Sequence, residues 1–324
     1  MVNFYMMVGL PGSGKSFYAN SLGVDVYSSD AIRAELFGDE NDQTHNADVF
    51  NELHNRVRKS LSSGKPCVYD AQNISRKYRK GFLKSLEDIK NERVYKIAIV
   101  VCTELKVCLH QNAGRDRKVP EDIIIGNYKK MTLPRLDEGW DEIRYAVNPN
   151  NTITLDEYFC FTTSFDQCNP HHTLTLDNHL LGAERYANER HPDIHKLDDH
   201  NDYYPYGDIV EAARYHDIGK PVCKTYQTYS GKITEHAHYY NHAEVGSYMY
   251  LCASLSPQFS LDSILRKNTA EFDLYNSVIK VASLIQCHMA YFDSPKLLED
   301  IKSAYGEKFV KCLDLLHEAD LAAH

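Results

Sequence analysis

The segment Gly9-Leu-Pro-Gly-Ser-Gly-Lys-Ser16 sets glycines, a lysine and a hydroxyl at the spacing Gly-x4-Gly-Lys-Ser. That spacing suits phosphate. Glycines let backbone N–H groups close around phosphate oxygens, and a helix opening at the end of the loop adds positive potential. Gly9, Gly12, Ser13 and Gly14 are the expected phosphate contacts. Lys15 would reach the β- and γ-phosphates and Ser16 would hold Mg²⁺. The chemistry this predicts is phosphoryl transfer from ATP or another nucleoside triphosphate.

Phosphate loops also serve motors and switches, so the residues that follow decide the reaction. Asp30 ends the second β-rich run, at the carboxyl edge where open α/β sheets bind ligands. An acid there accepts a proton from an attacking hydroxyl, and Asp is also a good helix N-cap, so both roles stay open. Arg33 lies one helical turn on and faces the same way. Asp70 closes the run Cys-Val-Tyr-Asp, suited to orienting a Mg²⁺-bound water. Ala-Gln-Asn73 follows, then Ser75-Arg-Lys-Tyr-Arg79, a basic helix start suited to a phosphate. Asn112-Ala-Gly-Arg-Asp-Arg-Lys-Val-Pro120 has the make-up of an arginine lid, and Arg115 and Arg117 fit it equally.

On these motifs, residues 1–145 resemble the phosphate-loop polynucleotide 5′-kinases. The resemblance implies that Asp30 is the general base toward a 5′-hydroxyl, that Arg33 binds the phosphate at the acceptor end, and that Arg115 or Arg117 stabilises the transferring phosphate. Gln72 stands where that family more usually has threonine. Small-molecule and zeta-toxin-like kinases share the loop and the strand-end acid, which leaves the acceptor more open than the reaction.

A second set of residues lies downstream. His216-Asp217 ends an apolar stretch and precedes Ile-Gly-Lys-Pro221; His179, His242, His288 and Asp320 each sit in an otherwise apolar or small-residue helical segment. A lone histidine in such a place is usually a hydrogen-bonded core residue. Together, in a helical half, they point to imidazole and carboxylate metal ligands.

Residues 170–324 thereby resemble the HD-domain phosphohydrolases, all-α helical bundles that hydrolyse phosphate esters with one or two divalent metals. The resemblance implies one site of His179, His216, Asp217 and Asp320, and a second completed by His242 and His288 through Asp217. His242 is preferred over His236 and His238 on the family's His-x-x-x-Gly spacing. Asp217 would also be catalytic and Lys220 would steady a phosphate. His171 or His172, in the polar lead-in to the first helix, would touch substrate or serve structure alone, and both roles stay open. The metal is open among Mn, Fe, Co, Ni and Zn. Chain ends fray, so Asp320 requires a firmly docked final helix.

The elements that position these residues follow from patterning. Residues 1–150 alternate β-rich runs (3–8, 24–27, 67–69, 95–101) with helical stretches (15–22, 30–37, 48–61, 75–86, 103–112), which predicts an α/β phosphate-loop kinase domain with a parallel sheet and flanking helices. Val147-Asn-Pro-Asn-Asn-Thr152 is turn-forming and marks a boundary. A linker is expected over 151–170 and a helical domain over 171–324, with helices at 209–215, 241–255, 271–289 and 308–322.

Charge divides the same way. Residues 1–150 hold 22 Lys and Arg against 20 Asp and Glu, and residues 151–324 hold 14 against 25 with 13 of the 16 histidines. A near-neutral half beside an acidic, histidine-rich half suggests two chemistries. Nine cysteines without a Cys-x-x-Cys pair predict reduced thiols. The opening residues lack a basic n-region, and no apolar run is long enough to span a membrane, so a cytoplasmic location is expected.

A kinase joined to a phosphoesterase suits repair of broken RNA, whose 5′-hydroxyl and 2′,3′-cyclic phosphate ends no ligase can join. The chain looks like a member of the enzymes that pair these two domains. RNA or DNA ends, with RNA favoured, are then the substrates, and a separate ligase would seal them. A metabolite kinase fused to a nucleotide hydrolase is the alternative, and a nucleotide-sensing module a third. The oligomeric state is not read from the sequence.

Overall fold

The computed structural model describes residues 1–90, 92–170, 172–190, 206–256 and 270–323. The chain divides into two compact units, Met1–Asn150 and Asn151–His324.

The first unit runs β1 (Val2–Val8), α1 (Lys15–Ser21), β2 (Asp25–Ser28), α2 (Ser29–Phe37), α3 (Asn46–Ser62), β3 (Cys67–Asp70), α4 (Arg76–Ser85), β4 (Val94–Cys102), α5 (Leu105–Ala113), α6 (Glu121–Lys130) and β5 (Glu142–Val147). The strands form one parallel sheet ordered β2-β3-β1-β4-β5. Period-two alternation gives each strand two buried faces. Phe4 and Met6 pack with Leu53, Val57 and Phe82 on one side, while Met7 packs with Ala19, Ile99 and Val101 on the other. Each fully buried side chain of this size contributes about 1.5–3 kcal/mol. β5 was not expected: Glu142 and Arg144, which bond to each other at 2.7 Å, mask its apolar face at the sheet edge.

The second unit runs α7 (Leu155–Cys160), α8 (Leu176–Glu189), α9 (Tyr206–Tyr215), α10 (Lys220–Cys223), β6 (Thr225–Gln227), β7 (Ile233–His238), α11 (His242–Ser254), α12 (Ala270–Cys287), α13 (Pro295–Tyr305) and α14 (Glu307–Ala322). α9 packs against α8, α12 and α14, and α11 packs against α12. α11 is buried almost all round, as a central helix should be.

Two expectations are corrected here. The unit is helical but not all-α, because β6 and β7 form an antiparallel hairpin. Residues 151–170 are not a linker: Thr162 and Gln167 are buried, the Asn151 amide donates to the Cys252 carbonyl at 3.2 Å, and α7 opens on a Thr154–Glu157 capping box. The nine cysteines are free thiols. Among the described residues, no helix is long and apolar enough to cross a membrane.

Candidate active sites

The phosphate loop joins β1 to α1. Gly14, with φ of 89°, is the N-cap of α1, and a Cβ on Gly12 would lie 2.2 Å from the Cys108 carbonyl oxygen. Only glycine lets the loop turn and pass this close to α5. Lys15 Nζ donates to the Leu10 carbonyl at 2.7 Å; burial lowers its pKa, against the pull of Asp70 and Cys108. Ser16 Oγ donates to Asp70 Oδ2 at 2.8 Å. Asp70 ends β3 and is buried, which raises its carboxyl pKa despite Lys15 and Ser16 nearby. A hydroxyl and a carboxylate side by side beneath a glycine cradle fit Mg²⁺ and a triphosphate.

Asp30 is not the cap of α2. Ser28 Oγ takes that role, accepting from the Asp30 and Ala31 backbone N–H groups, so the Asp30 carboxylate is available for other partners. Arg33 Nη1 donates to Asp30 Oδ1 at 2.8 Å, and Arg117 Nη1 lies 2.5 Å from Asp30 Oδ2. Burial alone would raise the Asp30 pKa, but Arg117 and then Arg33 outweigh it and hold the carboxyl below its ordinary value.

The two arginines of the expected lid thus part company. Arg117 is mostly buried against Asp30, whereas Arg115 is exposed and acts on Lys15 and Asp70 through its charge. Asn112 pins the loop that carries both, donating to the Val119 carbonyl and accepting from its N–H.

Arg79 is not brought to this site. It is 1% exposed, and its Nε and both Nη donate to Glu138, Asn73, Thr132 and Leu133. Five protein acceptor contacts match its five N–H donors, leaving none for phosphate. The basic helix start read as a phosphate contact instead fastens α4 to the segment 132–138. Two residues that sequence reasoning did not single out support the loop: Thr103 Oγ1 and Asn148 Nδ2 both donate to the Ser13 carbonyl, at 2.9 and 3.3 Å. Their signal was positional, since each follows the last residue of a strand at the carboxyl edge.

In the second unit, the expected ligands converge. Ligand atoms of His179, His216, Asp217 and Asp320 lie within 4.8 Å of one another, and so do those of Asp217, His242 and His288. Asp217 joins the groups: Oδ2 faces His179 and His216 at 3.6 and 3.4 Å, and Oδ1 faces His242 and His288 at 3.0 and 3.5 Å. His236 and His238 belong to β7, outside the group. The His-x-x-x-Gly spacing has a steric origin: a Cβ on Gly219 would meet the His242 carbonyl at 2.2 Å and the Gly246 N at 2.7 Å. Glycine at both positions lets the turn after His216-Asp217 lie on α11.

Each of the four histidines places Nδ1 on a backbone carbonyl: His179 on Ala323 at 2.9 Å, His216 on Ala213 at 2.8 Å, His242 on Tyr239 at 2.6 Å and His288 on Ile285 at 2.7 Å. A carbonyl only accepts, so Nδ1 carries the hydrogen and the neutral ring turns its Nε2 lone pair inward. His179 and His216 then oppose Nε2 to Nε2 at 3.2 Å, as do His242 and His288. Asp217 Oδ1 is also buried without a hydrogen bond. Converging lone pairs beside an unsatisfied carboxylate oxygen fit a divalent cation in each group, with the carbonyls as the outer partners that orient the ligands. Protons compete for the same atoms. Burial lowers the His179 pKa, yet Asp217 and Asp320 overcome it and push it up to about 9. Burial raises the Asp217 pKa, but Lys220 and His216 carry it well below the ordinary carboxylate range.

Asp320 is firmly held. It lies 3.1 Å from His179 Nε2, and α14 packs on α8 where Gly182 leaves room for Ala323. Lys220 Nζ is 2.6 Å from Asp217 Oδ2, 2.9 Å from Gln167 Oε1 and 3.3 Å from His172 Nε2. His171 lies outside the described residues.

Residues 4–132 match the family model of an AAA domain. Similar solved structures include a Chloroflexus aurantiacus J-10-fl protein described as a candidate kinase, at 16% identity and a TM-score of 0.38, covering 47% of this chain and 92% of that one. Another is a gluconokinase from Sinorhizobium meliloti 1021, at 17% identity and a TM-score of 0.31, covering 45% of this chain and 82% of that one. A search of curated proteins finds no match. The first unit is a phosphate-loop α/β domain, and the second is a helical unit built around a His/Asp cluster.

Proposed function

We propose that the chain heals RNA ends: its first unit phosphorylates 5′-hydroxyls with ATP, and its second removes a 2′,3′-cyclic, 2′- or 3′-phosphate. The observation that carries this reading is the pairing, in one chain, of an arginine-clamped Asp30 beside a phosphate loop with an Asp217-bridged double histidine cluster.

In the kinase step, the 5′-oxygen adds to the γ-phosphorus, the bond from that phosphorus to the β-bridging oxygen breaks, and the hydroxyl proton passes to Asp30. Arg33 and Arg117 fix both Asp30 oxygens, so the carboxylate is oriented before the acceptor arrives. Lys15 neutralises charge on the β- and γ-phosphates, and Ser16 and Asp70 would hold Mg²⁺. In the second unit, His179, His216, Asp217 and Asp320 would hold one divalent metal, and Asp217, His242 and His288 another. Such metals supply Lewis acidity and ease deprotonation of water. Lys220, whose three donors meet Asp217, Gln167 and His172, would hold the shared carboxylate in place while a water oxygen bonds to phosphorus, the ester bond to the ribose oxygen breaks and that oxygen takes up a proton.

The deciding experiment offers 5′-hydroxyl, 3′-phosphate RNA to the wild type and to Asp30→Ala and Asp217→Ala. Loss of 5′ transfer in the first variant and of 3′ phosphate release in the second is expected; neither reaction in the wild type sinks the proposal. The acidic charge of residues 151–324 favours a second reading, hydrolysis of a small nucleotide. Release of phosphate from mononucleotides but not from oligomers would support it.

A further inference from the structure

Between the ligands Asp217 and His242 the chain makes a detour with unusual composition. Residues 220–240 carry Lys220, Lys224 and Lys232 against one acid, Glu235, within a half that is otherwise strongly acidic. They also carry Tyr226, Tyr229, Tyr239 and Tyr240. The detour is the β6–β7 hairpin, closed by a turn in which the Gly231 N–H donates to the Thr228 carbonyl. It is pinned to the body of the unit: Ala237 N donates to the Cys168 carbonyl, and Asn169 Nδ2 to the Ala237 carbonyl.

Tyr239 packs inward, its hydroxyl on the Gln167 carbonyl, but Tyr229 and Tyr240 form an outward pair. Tyr240 meets Tyr229 at 3.9 Å between centroids with planes tilted by 35°, and His238 at 5.3 Å with planes 9° apart. Tyr229 ends the stack at 85% exposure, so its outer face is uncovered. Exposing this much aromatic surface costs hydrophobic free energy, and such surface rimmed by cations suits a flat, electron-rich partner attached to a phosphate chain. The stack lies close to the His/Asp cluster along the chain, since Tyr240 stands two residues before His242. Lys220 touches Asp217 and stands 5.6 Å from the centroid of Tyr239, whose carbonyl holds His242. Lys224 lies over Phe165 and Tyr226, and Phe165 meets Tyr239 edge-on.

We propose that the β6–β7 hairpin is a stacking platform for an unpaired nucleobase of single-stranded RNA whose terminal phosphate lies at the Asp217 cluster. The proposal rests on the phosphohydrolase reading, and deepens it by giving the second unit its own hold on the strand. Lys224 and Lys232 supply positive charge for the backbone, and the Tyr229–Tyr240 stack takes a base without reading its identity, since every base has a π-face. This platform explains how an acidic unit would hold a polyanion: the basic residues are concentrated where the strand runs.

The test uses the manganese-loaded full chain and an RNA trinucleotide whose last base is 2-aminopurine. Its 3′ end carries a phosphonate with carbon in place of the bridging oxygen, so that no turnover occurs. Stacking quenches the aminopurine fluorescence. Tyr229→Ala and Tyr240→Ala should each raise Kd about tenfold, as loss of one base–aromatic stack does. Tyr229→Phe should restore it, and turnover of p-nitrophenyl phosphate should be unchanged in all three. No quench in the wild type, or a Kd within twofold of wild type in both alanine variants, overturns the platform. If the wild type removes no 3′ phosphate yet the quench still depends on Tyr229, the end-healing reading fails while the platform stands.

Discussion

Arg117 Nη1 sits 2.5 Å from Asp30 Oδ2, joining the loop after α5 to the start of α2 across the phosphate-loop site. The contact distinguishes two arginines that motif spacing leaves equivalent. Arg117→Ala should lower kcat for 5′ phosphorylation by about 10²-fold, the lower end of what a positioned general base contributes. Arg115→Ala should cost less and act mainly on KM for ATP. Steady-state kinetics on 5′-hydroxyl RNA would reverse the assignment if Arg115→Ala were the more damaging.

The same contact sets a pH dependence. Arg117 and Arg33 hold the Asp30 carboxyl below its ordinary value, so the base form persists as pH falls. Removing Arg117 raises that pKa, and the acid limb of kcat/KM should move to higher pH in Arg117→Ala. A profile from pH 4 to 8 that keeps its acid limb in place would show that Asp30 is not the titrating base.

Metal content offers a direct readout of the second unit. Wild type should bind two manganese ions per chain, His242→Ala one, and Asp217→Ala fewer than either, because among the described residues Asp217 alone belongs to both groups. Chelation should lower Tm, since a cation bound only by the folded state stabilises it. Elemental analysis giving equal content in wild type and Asp217→Ala would remove the bridging role.

Arg79 and Glu138 form a buried pair at 2.7 Å. Arg79→Ala should destabilise the first unit by about 3–5 kcal/mol, the cost of orphaning a buried charge. The affinity of the remaining folded protein for ATP should hardly change. Urea unfolding and nucleotide titration separate the two effects; a large loss of ATP affinity without loss of stability would return Arg79 to the phosphate site.

Asp208 opens a different window. It is buried in α9, accepts from Ser277, and has an Oδ2 without a partner; burial pushes its pKa up to about 6. The folded state therefore holds this proton more tightly than the unfolded one, and stability falls as pH rises from about 4 to about 6. Asp208→Asn should raise stability by up to about 3 kcal/mol at pH 7.5 and leave it unchanged near pH 4. Equal Tm gains at both pH values would exclude an ionisation effect.

Much of this was legible from local pattern. The apolar runs that became β1, β3 and β4, and the glycines before Lys15, each combine propensity with a motif that needs that element there. The convergence of the His/Asp cluster was legible because six polar residues interrupt apolar helices, an expensive arrangement without a shared partner. What escaped was decided by tertiary partners. Arg79 has the composition of a phosphate contact, and only the buried Glu138, 59 residues away, turns it inward. Arg115 and Arg117 differ by which one Asn112 and its loop turn toward Asp30. The hairpin was hidden because its polar, histidine-rich strands carry no apolar alternation, and the residues 151–170 because their burial depends on α11.

His179 rests its Nδ1 on the Ala323 carbonyl, 144 residues further along. The ring that first enters the cluster in chain order is thus oriented by backbone made after every other ligand. One stretch of chain therefore supplies both Asp320 and the acceptor that orients His179, so disturbing α14 would disable two members of the cluster at once.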